Sequence, residues 1–396
     1  MSPTAVSNQD GAVLAVKSAP DVAPLDASKL IYNLTKTPKA VPSEAEANSG
    51  NETVATDHMI TATWNASTGW GAPEIKPYGP LSLAPTASCL HYATECFEGL
   101  KAYRGYDGRL RVFRPDCNAD RMRMSASRIS LPDFDPAEFV KLITAILSVD
   151  GPRWLPRDAP GNFLYLRPTM IGTHSQLGVM APREALLYII LTYMPRLDAP
   201  PGGMRLQTSP GDMVRAWAGG FGYAKVGANY GPSLPATAEA RKNGFHQILW
   251  LYGPTGECTE AGASNFFTLW KTKDGRKELI TAPLDDKLIL DGVTRRSIIE
   301  LVKQRLADDI VVTERKYSID EVIEASNEGR LIEAFAAGTA FFVCAVSQIH
   351  HRDIDINIPT GANDMGEVTT KIKGWVGDIM YGRAEHEWGV VIPEEQ

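Results

Sequence analysis

The chain has 396 residues, 44% of them hydrophobic and 22% charged, an ordinary globular balance with length enough for two domains. A formal charge of −7 supplies no basic surface for nucleic acid or an anionic membrane, and no apolar run approaches the roughly 20 residues of a membrane-spanning helix. Five scattered cysteines, none spaced C-x-x-C, suggest neither a disulfide framework nor a zinc site and suit a reducing compartment.

Residues 1–50 are rich in Ala, Ser, Pro, Asn and Thr without sustained periodicity, and are expected to form a flexible segment. They lack arginine and carry Asp10, Asp21, Asp26, Glu44 and Glu46, unlike an Arg-rich, acid-poor presequence. That favours the cytoplasm, with the mitochondrion as the alternative. Order is expected near Thr56, where T-D-H-M-I-T-A-T-W alternates as a strand. A hairpin through Asp107-Gly108 follows. Helices are predicted over Asn118–Ile129, capped near Asp116, and over Pro136–Val149, capped by Asp135. Strands at 163–168 and 185–193 complete a small N-terminal α/β domain, residues 51–194. The Pro/Gly-rich stretch 195–204 reads as an interdomain linker. Residues 205–396 form a larger α/β domain, with strands at 245–252, 264–270, 278–281, 309–315 and 341–346. Its helices are placed near 294–307, 319–327 and 364–380. The fold class is mixed α+β, with any cofactor held between the two domains.

Lys225 is the only charged residue from Ala216 to Ala238, among glycine, alanine and aromatics. Desolvation there would favour the neutral amine, a nucleophile for an aldehyde. A lysine snorkelling from a buried strand fits the segment equally well. Tyr230, five residues on in a Gly/Asn-rich turn, could bond a ring hydroxyl or simply fill the core. Glu260 falls in a predicted hairpin beside the small residues Ala261-Gly262-Ala263-Ser264. A pyridine cofactor needs such an acid at its ring nitrogen, although an edge-strand glutamate facing water is the plainer reading. Asp291-Gly292-Val293-Thr294 opens a predicted helix, where free N–H groups and the dipole favour an anion, or where Asp291 or Thr294 merely caps. A turn at Ala336-Ala337-Gly338-Thr339-Ala340 offers further donors. No nucleotide-loop or zinc-protease motif occurs, and His350-His351 with Asp353 reads as a solvated turn, so no metal is expected.

Together these segments closely resemble the branched-chain amino acid aminotransferases, fold type IV enzymes dependent on pyridoxal 5'-phosphate, and particularly their eukaryotic, fungal-type members. The likeness spans about Thr56 to Trp388 and rests on T-D-H-M, L-H-Y-A-T-E-C-F-E-G-L-K-A-Y, R-A-W-A-G-G, K-V-G-A-N-Y-G-P, L-D-G-V-T-R and H-E-W. It implies that Lys225 carries the cofactor as a Schiff base and shuttles the substrate proton. Tyr230 would bond the cofactor's phenolic oxygen and Glu260 its pyridine nitrogen. Arg121 would hold the phosphate, with donors from Val293, Thr294 and Thr339. Substrate carboxylate would meet Thr339, Ala340 and Tyr92. Phe97, Tyr165, Leu177 and Val179 would line the side-chain pocket, and Arg167 would take the distal carboxylate of glutamate. Tyr92, Leu177 and Val179 would come from the partner of a homodimer. Leucine, isoleucine or valine and 2-oxoglutarate are the implied substrates.

Three departures from the family pattern stand out. Phe341 and Cys344 replace the C-x-x-C of animal members, which removes a dithiol switch. Ala263 stands where the family has threonine, and Ala336 where it has glycine. Both are expected to border the site, so another hydrophobic 2-oxo acid is the alternative substrate. A catalytically silent cofactor-binding protein is the remaining reading.

Overall fold

Long, largely buried runs of apolar and β-branched residues form the main strands of the first sheet. The computed structural model describes residues 22–43, 45–46, 53–193, 199–339, 342–361 and 363–394. In chain order the strands of its first half are β1 (Ile31–Tyr32), β2 (Val54–Asn65), β3 (Gly69–Trp70), β4 (Glu74–Pro77), β5 (Glu95–Phe97), β6 (Leu100–Arg104), β7 (Leu110–Phe113), β8 (Phe163–Gly172) and β9 (Glu184–Tyr193). Its second half supplies β10 (Met204–Thr208), β11 (Gln247–Tyr252), β12 (Glu257–Ala261), β13 (Ser264–Lys271), β14 (Lys277–Thr281), β15 (Ile310–Glu314), β16 (Leu331–Gly338), β17 (Phe342–His351), β18 (Ile354–Asn357) and β19 (Gly389–Val391). The helices are α1 (Cys89–Tyr92), α2 (Pro115–Arg128), α3 (Pro136–Trp154), α4 (Leu234–Lys242), α5 (Val293–Arg305), α6 (Ile319–Asn327) and α7 (Glu367–Met380).

Among the described residues these strands make two sheets. The first runs β1-β4-β2-β9-β8-β6-β7-β19, with β3 on β2 and β5 on β8. The second runs β12-β11-β10-β17-β16-β13-β14-β15 with β18 on β17, and β12 also pairs with β13, closing six strands into a ring. The last strand, β19, returns to the first sheet beside β7. Just beyond it, Glu394 forms a two-point ion pair with the fully buried Arg104 (2.7 and 2.8 Å).

Two helix ends differ from expectation. Asp135 caps α3 through the Ala137 N–H as predicted, but the helix runs on to Trp154. Tertiary contacts hold that extra turn: Asp150 bonds His58 Nδ1 (2.6 Å) and Trp154 is buried. Helix α2 is capped at Arg114, in a left-handed conformation (φ 45°), rather than near Asp116. Residues 22–43, expected to be flexible, instead pack on the first sheet. Leu25 enters the core, and Ile31 and Tyr32 pair with Glu74 and Ile75. The backbone N–H groups of Thr35 and Lys39 donate to His58 Nε2 (2.9 Å) and Asp57 Oδ1 (2.7 Å). Composition conceals this because one buried leucine and a few backbone bonds, not a periodic apolar face, make the attachment. Of the expected linker, residues 195–198 lie outside the described residues, and Met204 already belongs to β10.

Three cores organise the molecule. One packs α2 and α3 on the first sheet through Phe139, Leu142, Ile146, Leu166 and Leu187. A second joins the halves, setting Tyr103, Phe113 and Phe163 against Phe267, Phe335 and the helices α5 and α7. A third lies on the opposite face of the second sheet, with Phe266, Ala336 and Cys344 against α6. Each large apolar side chain so buried contributes about 1.5–3 kcal/mol. No helix among the described residues is long and apolar enough to cross a membrane.

All five cysteines are free thiols, and only Cys89 is not buried. Burial pushes Cys344 up to about 11 and Cys96 and Cys258 higher still. A thiol so shifted holds almost no thiolate at neutral pH and reacts slowly. Ellman's reagent is therefore expected to modify at most one thiol per native chain, and none in Cys89→Ser. Two or more reactive thiols before unfolding would contradict this packing.

Candidate active site

Where the second core ends, the two sheets part around a cavity of about 590 Å³. The first sheet contributes Phe97, Tyr165 and Arg167, and α2 contributes Arg121. From the second half come Lys225, Tyr230, Glu260, Ala263, Val293, Thr294 and Thr339.

Lys225 lies outside regular structure, and its backbone is fixed by α2 and by β5 of the first sheet. Its N–H donates to Ser125 Oγ (2.8 Å), its carbonyl accepts from the Phe97 N–H (3.1 Å), and Val226 bridges to Cys96. Asn229 ties the following turn to the carbonyls of Ala224 (2.8 Å) and Phe221 (3.2 Å). Gly227 permits the close approach: a Cβ there would sit 2.6 Å from the Glu95 carboxylate. The side chain is thereby left to the cavity, with Nζ 3.3 Å from the Tyr230 hydroxyl and 5.0 Å from the Phe97 ring centre.

Glu260 is buried, not an edge residue facing water. It stands where β12 meets β13, opposite Asn265. Oε1 accepts from the Leu290 N–H (3.1 Å) and from Asn265 Nδ2 (3.3 Å). Oε2 lies 2.5 Å from Arg215 Nε, yet no N–H is aligned on it and it has no hydrogen-bond partner. Burial pushes this carboxyl above the usual glutamate value, against the opposing charge of Arg215, the Leu290 N–H and the charges of Lys225 and Arg295.

The anion-suited helix start also materialises. Gly292 caps α5 with no side-chain bond, because Asp291 turns to Arg296 instead. The first N–H groups of α5 therefore remain uncapped by any side chain. Arg121 faces them, held by Glu98 through Nε (2.7 Å) and Nη2 (2.8 Å) and by the Asp291 carbonyl through Nη1 (2.8 Å). Glu98 is fully buried and also accepts from Asn118 (2.8 Å). Burial raises its carboxyl, but the Arg121 charge and hydrogen bonds, the Lys225 charge and Asn118 outweigh that and hold it below its usual value. Thr339 Oγ1 donates to the Gly99 carbonyl (3.1 Å), joining the two walls. Opposite, Arg167 donates from Nη2 to the Tyr165 hydroxyl (2.8 Å) and stacks 4.6 Å from the Phe97 ring centre. Its buried Nε has no partner.

Tyr92, Leu177 and Val179 do not line this cavity; they are exposed. Ala340 lies outside the described residues. Ala336 does not border the site as expected: strand alternation turns Ala337 to the cavity and Ala336 into the core against α6. Glu98 and Arg215 were not anticipated: each has another charge three residues away and looks like an ordinary polar position in the sequence. No cluster of His, Cys, Asp and Glu among the described residues could hold a metal ion. His350 bonds Asp355 (2.6 Å) and His351 bonds Thr208 (3.0 Å).

The sequence model described as amino-transferase class IV matches residues 95–349, and the chain belongs to that family. It is 42% identical to the branched-chain-amino-acid aminotransferase of Monosiga brevicollis, over 96% of each chain. It is 43% identical to the cytosolic branched-chain-amino-acid aminotransferase of Saccharomyces cerevisiae, covering 94% of this chain and 99% of that one. The mitochondrial enzyme of the same yeast is also 43% identical, over 94% of each. Among solved structures, the Thermobaculum terrenum branched-chain amino acid aminotransferase in its PLP form superposes with a TM-score of 0.66. That match covers 85% of this chain and 98% of that one at 20% identity, and the shared feature is the type IV fold.

Removing Glu98 strands a buried guanidinium, which costs about 3–5 kcal/mol. Urea unfolding of Glu98→Ala is expected to show a loss of that order at neutral pH. Because the folded carboxyl is held below 4.5, the stabilisation is complete above that value and fades as pH falls through the lowered one. The gap between wild type and Glu98→Gln should therefore narrow only in acid. A gap independent of pH would refute the ion pair.

Proposed function

We propose that the chain is a branched-chain amino acid aminotransferase that holds pyridoxal 5'-phosphate between its two halves, residues 51–194 and 205–396. One observation carries the proposal. A single cavity brings together a lysine amine beside a phenol, a buried carboxylate oxygen without a hydrogen-bond donor, and an arginine facing an uncapped helix start. These groups match the aldehyde, ring nitrogen and phosphate of the cofactor. When bound, it supplies an aldehyde for an amine and a ring that withdraws electrons from Cα.

The chain's own residues then have distinct tasks. Lys225 Nζ would be the covalent anchor and afterwards the base that moves the Cα proton. Tyr230, 3.3 Å away, would hold the phenolic oxygen and keep the amine oriented. The Glu260 carboxylate would accept from the ring nitrogen. Arg121, Val293, Thr294 and Thr339 would hold the phosphate. Phe97 and Tyr165 give an apolar wall for leucine, isoleucine or valine, and Arg167 offers its unpaired Nε to the distal carboxylate of glutamate. One pocket can thus serve an apolar and an acidic substrate in turn, as ping-pong transfer to 2-oxoglutarate requires. Ala263 on the cavity wall, in place of the family's threonine, favours a second reading in which a different hydrophobic 2-oxo acid is preferred.

The proposal includes a homodimer. Leu90 and Tyr92 of α1 and Leu177, Val179 and Met180 of a neighbouring loop are exposed, and the two segments are tied by the Ala87–Ser175 bridge and by Ser88 N–H to the His174 carbonyl. Clustered apolar exposure of this kind marks an interface.

Borohydride reduction and peptide mapping should place the cofactor on Lys225, and Lys225→Ala should lose at least about 10²–10⁴-fold in turnover. Normal turnover by Lys225→Ala would end the proposal. With glutamate as donor, the 2-oxo acids of leucine, isoleucine and valine should be the best acceptors in a panel. A better bulky or aromatic acceptor would decide for the second reading. Val179→Asp should sediment as a monomer with little activity, and an active monomer would remove the dimer from the scheme.

A further inference from the structure

We infer that Arg215 is a positioning residue that keeps Glu260 negatively charged, so that the proton of the Glu260–cofactor pair resides on the ring nitrogen. The inference rests on Glu260 being the ring nitrogen's partner.

The geometry separates charge from hydrogen bonding. Arg215 is as buried as the carboxylate it meets, with side-chain exposures of 7% and 2%, and its Nε lies 2.5 Å from Oε2. No N–H of Arg215 is aligned on that oxygen, so the contact is one of charge, and the Glu260 carboxyl itself lines the cavity. The guanidinium is held for this task by other acceptors: Nη1 donates to the carbonyls of Gly222 (3.3 Å) and Leu288 (3.2 Å). Gly222 must be glycine for that closure, since a Cβ would fall 2.4 Å from the Ala216 Cβ and 2.8 Å from the Leu288 carbonyl.

A buried carboxylate without a cation takes up a proton rather than remain charged. A neutral Glu260 would donate to the ring nitrogen instead of accepting from it, and the ring would lose its positive charge. Leu290 and Asn265 reach only Oε1. Arg215 is the cation in direct ion-pair contact with the carboxylate. A guanidinium is a planar, delocalised cation suited to buried ion pairs.

The test compares wild type, Arg215→Gln, Arg215→Lys and Glu260→Gln, each reconstituted from apoprotein with pyridoxal 5'-phosphate labelled with nitrogen-15 at the ring. The readouts are the ring-nitrogen resonance across pH, cofactor affinity by titration, and steady-state kinetics. Arg215→Gln should show a deprotonated ring nitrogen at neutral pH and cofactor affinity weaker by about 10–100-fold. Its kcat should fall by a similar factor while KM changes by less than about threefold. Arg215→Lys restores a cation and should keep the ring nitrogen protonated, which distinguishes charge from packing. A protonated nitrogen and near-normal kcat in Arg215→Gln would overturn the inference. So would a cofactor-loaded Arg215→Lys with an unprotonated ring. If Glu260→Gln leaves the resonance at its wild-type position, the assignment of Glu260 itself fails and the role of Arg215 falls with it.

Discussion

The Glu98–Arg121 ion pair is the joint on which the site depends. Glu98 sits between two strands of the first sheet, Arg121 projects from α2, and the third bond of the guanidinium goes to the Asp291 carbonyl of the other half. A buried cation and anion are each costly to strip of water, and they are tolerated together only when nearly every donor and acceptor is matched. Here Asn118 and the Gly99 N–H complete the shell of Glu98. Once those positions are fixed, the guanidinium stands on the cavity wall together with Val293 and Thr294 at the start of α5. Anion recognition is thus a product of how the two halves are locked together.

A second balance operates at the far end of the cavity. Glu260 is buried at the seam where the ring of strands closes, and burial alone would neutralise it. Arg215, itself fixed by two carbonyls, offsets that tendency from behind the cavity wall. Between these poles lies Lys225, whose backbone is bonded to α2 and to β5 of the first sheet while its chain segment belongs to the second half. Each end of the site therefore reports on the same structural condition, that both sheets are correctly opposed.

Much of this was legible in the residues. Solitary Lys225, the small-residue surroundings of Glu260 and the Gly292-Val293-Thr294 helix start identified three corners of one site. Hydrophobic periodicity located β2, β8, β9, β13 and most helices. What stayed hidden depended on contacts between distant segments. Glu98 and Arg215 look like ordinary charges until folding buries them against Arg121 and Glu260. The order of residues 22–43 arises from backbone donors meeting His58 and Asp57, which no composition reveals. Ala336 was assigned to the wrong side because a run of small residues gives no clue to which strand face each occupies. The final turn of α3 was missed because Asp150 and Trp154 are stabilised from outside the helix.

The return of β19 to the first sheet has a consequence for how the protein is made. The edge of that sheet at β7, and the buried guanidinium of Arg104, are completed by residues 389–394, nearly 300 positions later in the chain. A nascent chain emerging from the ribosome can assemble β2, β8 and β9 early. Yet it carries an open sheet edge and an unneutralised interior charge until residues 389–394 have been made. A sheet begun early is thus finished late, and a change that removed residues 389–394 would damage structure nearly 300 positions before it.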